Sequence, residues 1–148
     1  MRGTNYLIGG KSLWEMEASH LMEREVVFFD GMTSCHLIAE TLVQRNFGSV
    51  PIVDEDKLLI GIVSEYDILK ALAEGKNLET TPAVEVMSPA VSISETMGTK
   101  EIINLLEARH FIRVPVVDDQ KRLIGIVARR DILAGYLDST YPPHHGGL

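Results

Sequence analysis

The sequence contains an internal repeat, and this repeat limits the folds open to the chain more than any other feature. Moving the chain by 64 residues places VPIVDEDKLLIGIVSEYDIL, residues 50–69, on VPVVDDQKRLIGIVARRDIL, residues 114–133, without a gap. Thirteen of the 20 aligned positions are identical. Since there are only two copies, and each is longer than most solenoid repeats, the pattern favours a pseudo-symmetric pair of similar units.

Each copy shows the same predicted order of elements, β-α-β-β-α. The predicted bounds are 26–29, 33–45, 49–53, 58–63 and 65–73 in the first copy, and 91–93, 97–109, 113–117, 122–127 and 129–137 in the second. The first long helix of each copy carries three apolar residues on one face. These residues are Ile38, Ala39 and Leu42, and Ile102, Ile103 and Leu106. The predicted fold class is α+β, with tandem repeats that form small three-stranded sheets flanked by helices.

Three segments lie outside the repeats. The chain is predicted to divide into an N-terminal extension (1–21), a first repeat (22–74), a linker (75–81), a second repeat (82–137) and a disordered Pro/Gly-rich tail (138–148). The extension is predicted to hold a helix from Ser12 to Leu21, with Trp14 and Leu21 as apolar contacts. Thr81 and Pro82 have the residue types of an N-cap and a first helical position.

The composition predicts a cytoplasmic globular protein that contacts neither nucleic acid nor membrane. Hydrophobic residues make up 45% of the chain and charged residues 24%. The net charge of −7 argues against a nucleic-acid surface, which needs cations to replace counterions. The single cysteine, Cys35, cannot form an internal disulfide, as suits a reducing compartment. No stretch approaches the roughly 20 apolar residues of a membrane span, and the N-terminus lacks a signal-peptide core.

The paired units resemble a CBS domain pair, also called a Bateman module, over residues 14 to 137. Each has a VPIVD or VPVVD strand, an LIGIV strand and an aspartate four residues beyond that strand's last valine. The resemblance implies a non-catalytic regulatory module that binds an adenine nucleotide in clefts between the repeats and signals occupancy to an effector protein. It implies AMP, ADP or ATP as ligand, ahead of S-adenosylmethionine or NAD(H), and a homodimer. We expect no fused enzyme or channel.

The family's ligand motif is complete in the first copy. Its pattern is Gly, two aliphatic residues, Ser or Thr, two variable residues and Asp, which matches Gly61 to Asp67. A helix start offers N–H groups and a positive dipole end to a phosphate. Ser64 would add a donor for that phosphate, and Asp67 would accept both ribose hydroxyls. Ser-x-x-Asp also fits a capping box, so a purely structural role for both residues stays open.

The second copy departs from the motif, because Ala128 replaces the serine. Ala128 cannot cap through its side chain, yet Asp131 is present, which favours ribose binding by both aspartates. Arg113, two residues before Pro115, occupies a position where relatives with bound nucleotides often carry a phosphate-binding arginine. Arg130, at the predicted helix start, is a second candidate for the phosphate. Solvent exposure or ion pairing is expected for the other arginines of this copy: Arg109, Arg122 and Arg129.

In the family each cleft takes its motif from one repeat and its adenine slot from the other. The resemblance therefore assigns two sets of slot residues. Those opposite the Asp67 motif are Pro89, Ala90, Ile112 and Arg113; those opposite the Asp131 motif are Glu25, Val26, Gly48 and Ser49. Because the two clefts carry different side chains, we expect unequal affinities, with the arginine-bearing cleft preferring more phosphate.

Two other functional classes compete with this interpretation. One is a ligand-free assembly module that acts through its helical faces. The other is an enzyme, for which the sequence offers no acid/base or nucleophile set. Cys35 and His36 are neighbours on a predicted helix, so their side chains point apart. His144 and His145 lack a third metal ligand. We therefore predict no catalytic residue and no metal site.

Overall fold

The structure is a computed structural model that describes residues 12–140. The chain separates into two compact units. The first-repeat unit comprises residues 26–91 and the turn 119–123. The second-repeat unit comprises the described residues of 12–25, 92–118 and 124–140. Within the described part of the chain, no helix is long and apolar enough to cross a membrane.

The two repeats give the same succession of elements. In chain order these are a 3₁₀ turn (Leu13–Glu15), α1 (Ala18–Leu21), β1 (Phe29–Asp30), α2 (Cys35–Arg45), β2 (Ser49–Val53), β3 (Leu59–Ser64), α3 (Glu65–Ala73), a 3₁₀ turn (Ala83–Glu85), β4 (Ile93–Ser94), α4 (Thr99–Arg109), β5 (Arg113–Val117), β6 (Leu123–Ala128) and α5 (Arg129–Thr140). The strand orders are β1-β2-β3 and β4-β5-β6. β1 runs parallel to β2, β2 is antiparallel to β3, and β4 runs parallel to β5. Two three-stranded sheets flanked by helices confirm the predicted α+β fold.

Each unit has its own apolar core. The buried residues of the first-repeat unit are Cys35, Ile38, Leu42, Val50, Ile52, Val63, Ile68 and Ala83. Those of the second-repeat unit include Leu13, Met16, Leu21, Ile93, Ile102, Leu106, Val114, Val116, Val127 and Ile132. The predicted helix faces are confirmed, with Ala39 and Ile103 half-buried at their margins. Both helices end at a residue in the left-handed region, Asn46 and His110, each with φ 56°, which is a common way to end a helix.

The predicted single helix from Ser12 to Leu21 is wrong. A 3₁₀ turn and α1 replace it, and Met16 and Glu17 between them are extended. The buried Thr99 hydroxyl lies at 2.8 Å from the Leu13 carbonyl oxygen and 3.0 Å from that of Met16. Because these carbonyls are engaged by Thr99, a continuous helix is not needed to satisfy them. Trp14, a predicted apolar contact, is 65% exposed.

Several other predicted boundaries differ from the structure. β1 and β4 begin later than predicted, because only two residues of each pair with the neighbouring strand. Pro82 precedes the 3₁₀ turn instead of starting a helix, while the Thr81 hydroxyl donates to the Asn77 carbonyl at 2.7 Å. α5 continues to Thr140, so residues 138–140 are helical. The rest of the predicted tail, with His144 and His145, lies outside the described residues.

Candidate functional site

The complete motif, Gly61 to Asp67, forms a turn where β3 ends and α3 begins. This turn is called the Asp67 corner. The Ser64 N–H donates to Asp67 Oδ2 at 2.8 Å, and the Asp67 N–H donates to Ser64 Oγ at 3.1 Å. This pair of bonds is a capping box, which satisfies two N–H groups at the helix start. The Ser64 hydroxyl donates to the same Oδ2 at 3.1 Å. Ser64 and Asp67 therefore have the structural role that the pattern left open.

Ser88 joins this corner, although the sequence analysis did not single it out. Its hydroxyl donates to Asp67 Oδ1 at 2.9 Å. Two backbone hydrogen bonds, at 2.9 and 2.8 Å, hold Ser88 against Ile62 of β3. The preceding Met87 lies so close to Gly61 that a Cβ there would approach the sulfur to 2.6 Å. One signal was present: Met87-Ser88 comes 65 residues after Met22-Glu23, close to the 64-residue spacing of the repeat.

The corresponding turn from Gly125 to Asp131, between β6 and α5, is called the second corner or the Asp131 corner. It has one of the two hydrogen bonds of a capping box. The Ala128 N–H donates to Asp131 Oδ2 at 2.8 Å. The carboxylate thus satisfies the backbone N–H of Ala128 without any help from a serine hydroxyl. The presence of Asp131 in this copy therefore has a structural explanation, and its ribose role stays a prediction.

Arg113 is one of the two predicted phosphate-binding arginines of the second-repeat unit, and its pKa is shifted. It begins β5 and is half-buried. Burial lowers the pKa of its guanidinium to about 10, and the negative charge of Asp131 opposes that shift. At neutral pH the group remains charged, so it is a partly desolvated cation near the start of α5. Arg130 is exposed on the first turn of the same helix. The second-repeat unit therefore holds both predicted phosphate-binding arginines.

The predicted slot residues of the first-repeat unit lie in two kinds of place, some at the Asp67 corner and others in loops. The Gly48 carbonyl accepts the Glu65 N–H at 3.0 Å, and Ser49 pairs in register with Ser64. Both therefore lie at the Asp67 corner of their own unit. Val26 and Ala90 are half-buried residues outside its strands and helices.

The second-repeat unit repeats this arrangement. The Ile112 carbonyl accepts the Arg129 N–H at 2.9 Å, so Ile112 adjoins the Asp131 corner just as Gly48 adjoins the other. The first N–H of each of these two helices is thus already bonded within its own unit. The assignment of each slot to the opposite motif stays a prediction.

Comparison with known proteins places both repeats in one family. The CBS domain model matches residues 18–74 and 83–138. An uncharacterized protein of Methanopyrus kandleri is 33% identical over 120 residues, which is 80% of this chain and 61% of that protein. The chain spans still less of the next three curated relatives, between 17% and 25% of their length.

Solved structures show the same architecture. A CBS domain pair in complex with 5′-methylthioadenosine and S-adenosyl-L-methionine matches with a TM-score of 0.68 and 28% identity, covering 80% of this chain and 93% of that one. The cytosolic domain of the Mg²⁺ channel MgtE in complex with ATP matches with a TM-score of 0.67 and 27% identity, covering 80% and 48%. Because the family model matches both repeats and these folds agree, the chain belongs to the CBS domain family.

Proposed function

We propose that the chain is a regulatory, non-catalytic CBS pair that binds AMP, ADP or ATP at the corners closed by Asp67 and Asp131. Occupancy is signalled to an effector protein through a change in conformation or assembly, because a ligand that prefers one arrangement shifts the population toward it. The observation that carries the proposal is Arg113, a half-buried cation at the start of β5 whose charge interacts with that of Asp131. Related pairs solved with an adenosyl ligand and with ATP support it.

Two kinds of side chain at these corners suit different parts of a nucleotide. A carboxylate on the first helical turn is a hydrogen-bond acceptor that suits the paired hydroxyls of a ribose. A guanidinium binds phosphate oxygens through two parallel donors. Asp131 acts electrostatically on Arg113, and we expect one ligand to contact both residues. This arrangement favours a ribosyl phosphate over an uncharged nucleoside.

A thermal-shift experiment tests the proposal directly. Nucleotide-free protein is melted with AMP, ADP, ATP, S-adenosylmethionine or NADH. A ligand at 100 times its dissociation constant adds about 2.7 kcal/mol to the free energy of unfolding. At this chain length we therefore expect Tm to rise by several degrees with at least one adenine nucleotide. The absence of a shift with every member of the panel would contradict the proposal.

Arg113 is expected to give the second corner its preference for phosphate. Charged hydrogen bonds contribute about 1.5–3 kcal/mol, so Arg113→Gln should weaken ATP binding about 10- to 100-fold and leave adenosine binding unchanged. Isothermal titration calorimetry measures both affinities. Arg109→Gln is the matched control, because Arg109 is exposed at the last turn of α4. Equal affinity of the wild-type protein for adenosine and ATP would refute this assignment.

We also propose that the chain forms a homodimer through its helices. Four leucines of α3 and α5 are more than half exposed: Leu69, Leu72, Leu133 and Leu137. Apolar side chains clustered on helices are typical of protein interfaces. Sedimentation equilibrium should give the mass of two chains. If the dimer forms while no nucleotide shifts Tm, the ligand-free assembly module becomes the better interpretation.

A further inference from the structure

We infer that the Ser88 hydroxyl controls the binding of a ribose to Asp67, because it occupies an acceptor position on the carboxylate that a ribose diol needs. This control of ribose access by Ser88 is called the gate. This inference rests on the proposed binding of ribose by Asp67. Ser88 is 21 residues from Asp67 in the chain, and its hydroxyl lies 2.9 Å from Asp67 Oδ1. An ionised carboxylate only accepts hydrogen bonds, so the serine is the donor.

The hydrogen bonds of Asp67 leave room for only one further donor. An ionised carboxylate offers about four acceptor positions, two on each oxygen. Oδ2 accepts the Ser64 N–H at 2.8 Å and the Ser64 hydroxyl at 3.1 Å, so both of its positions are filled. Among the donors of the described residues, the Ser88 hydroxyl is the one that bonds to Oδ1. A single ligand hydroxyl can therefore be added, but a diol needs a second position.

Ser88 is the donor that a ribose can displace most readily. The bonds to Oδ2 belong to the helix start, where one donor is the backbone N–H of Ser64. Ser88 reaches Oδ1 through a side chain that can rotate, while its backbone stays bonded to Ile62 at 2.8 and 2.9 Å. Rotation of one hydroxyl thus opens the second position without any change in the sheet edge.

The other repeat has no such hydroxyl at the matching position. Glu23 pairs with Ile126 through two backbone bonds, at 2.8 and 3.0 Å, as Ser88 pairs with Ile62. The Glu23 carboxylate accepts the N–H of Glu25 at 3.2 Å, and a carboxylate cannot donate to Asp131. A serine hydroxyl at this position is therefore a feature of the Asp67 corner, and Glu23 cannot supply the same bond to Asp131.

Removal of the gate should favour ligands with two ribose hydroxyls. Ser88→Ala abolishes a bond that ATP must break, so ATP should bind about 2- to 10-fold more tightly, the range expected for one ordinary hydrogen bond. Binding of 2′-deoxy-ATP should not change, because its single hydroxyl uses the position that is already open. Both ligands carry the same phosphates and base, so the two titrations differ only in the 2′-hydroxyl of the ribose.

Calorimetry with ATP and 2′-deoxy-ATP on Ser88→Ala tests the inference, with Ser88→Thr as the control that keeps the hydroxyl. Both are measured in an Asp131→Ala background, or Asp131→Asn if the alanine variant does not fold, so that one corner is observed. A gain for ATP alone, absent in Ser88→Thr, supports the gate. Equal changes for both ligands, or no gain for ATP, would overturn it.

A different set of results is expected if Asp67 does not bind ribose at all. In that case ATP binds none of these variants, or its binding in the same background survives Asp67→Ala. Either result removes Asp67 as a ribose ligand and the gate with it.

Discussion

Asp67→Ala is expected to lower the ATP affinity of the first corner by about 100-fold or more. The variant removes two hydrogen bonds from ribose to a charged acceptor, each contributing about 1.5–3 kcal/mol, and every 1.4 kcal/mol is tenfold in affinity. It also removes the acceptor of the Ser64 N–H and of the Ser88 hydroxyl. Calorimetry in the Asp131→Ala background should therefore show almost no heat, and the nucleotide-dependent rise in Tm should disappear.

The capping role of Asp67 requires a matched control. Ser64→Ala removes the acceptor of the Asp67 N–H but keeps the carboxylate. Loss of a helix cap costs about 0.5–2 kcal/mol, so both variants should lower Tm without ligand by similar amounts. Only Asp67→Ala should lose ATP binding almost completely, while Ser64→Ala should weaken it by about tenfold or less. Wild-type affinity in Asp67→Ala would leave this residue as a helix cap alone.

The repeat explains why so much of the fold could be predicted. Two copies of one pattern, 64 residues apart, had to form the same elements, so each copy checked the assignment of the other. β2 and β5 have the predicted bounds, Ser49–Val53 and Arg113–Val117. After the first residue of each, Ser49 or Arg113, the strand is an unbroken apolar run, typical of a buried strand. The local sequence pattern and the observed burial agree in these strands, and such agreement allows an element to be predicted from the sequence.

The predictions failed where a distant partner decides the local structure. β1 begins at Phe29 because Phe29 and Asp30 are the residues that pair with Ile52 and Val53, and no local pattern shows where that pairing starts. Ser88 is a similar case. Its bond to Asp67 depends on a backbone bridge to Ile62, which joins residues far apart in the chain. The motif alone therefore identified Ser64 and Asp67 but not Ser88, which bonds to Asp67 from a distant part of the chain.

The segment before the first repeat is expected to contribute strongly to the stability of the second-repeat unit. Leu21 is completely buried and lies against α5, where a Cβ on Gly135 would come within 2.6 Å of its Cδ2. Leu21→Ala should therefore reduce the free energy of unfolding by about 2–5 kcal/mol, the cost of a lost core side chain and the cavity it leaves. Urea denaturation followed by circular dichroism measures this loss.

Trp14→Ala provides the control from the same segment. The sequence gives Trp14 and Leu21 equal standing as apolar residues, but Trp14 is 65% exposed, so its removal should change the free energy of unfolding by about 0.5 kcal/mol or less. Thr99 links the segment to α4 through its hydroxyl, and the backbone N–H groups of Ala18 and Ser19 bond to residues just before that helix. A small loss in Leu21→Ala would mean that these bonds hold the segment without its apolar contact. A loss equal to that of a core residue such as Ile102 would establish the segment as part of this unit's core.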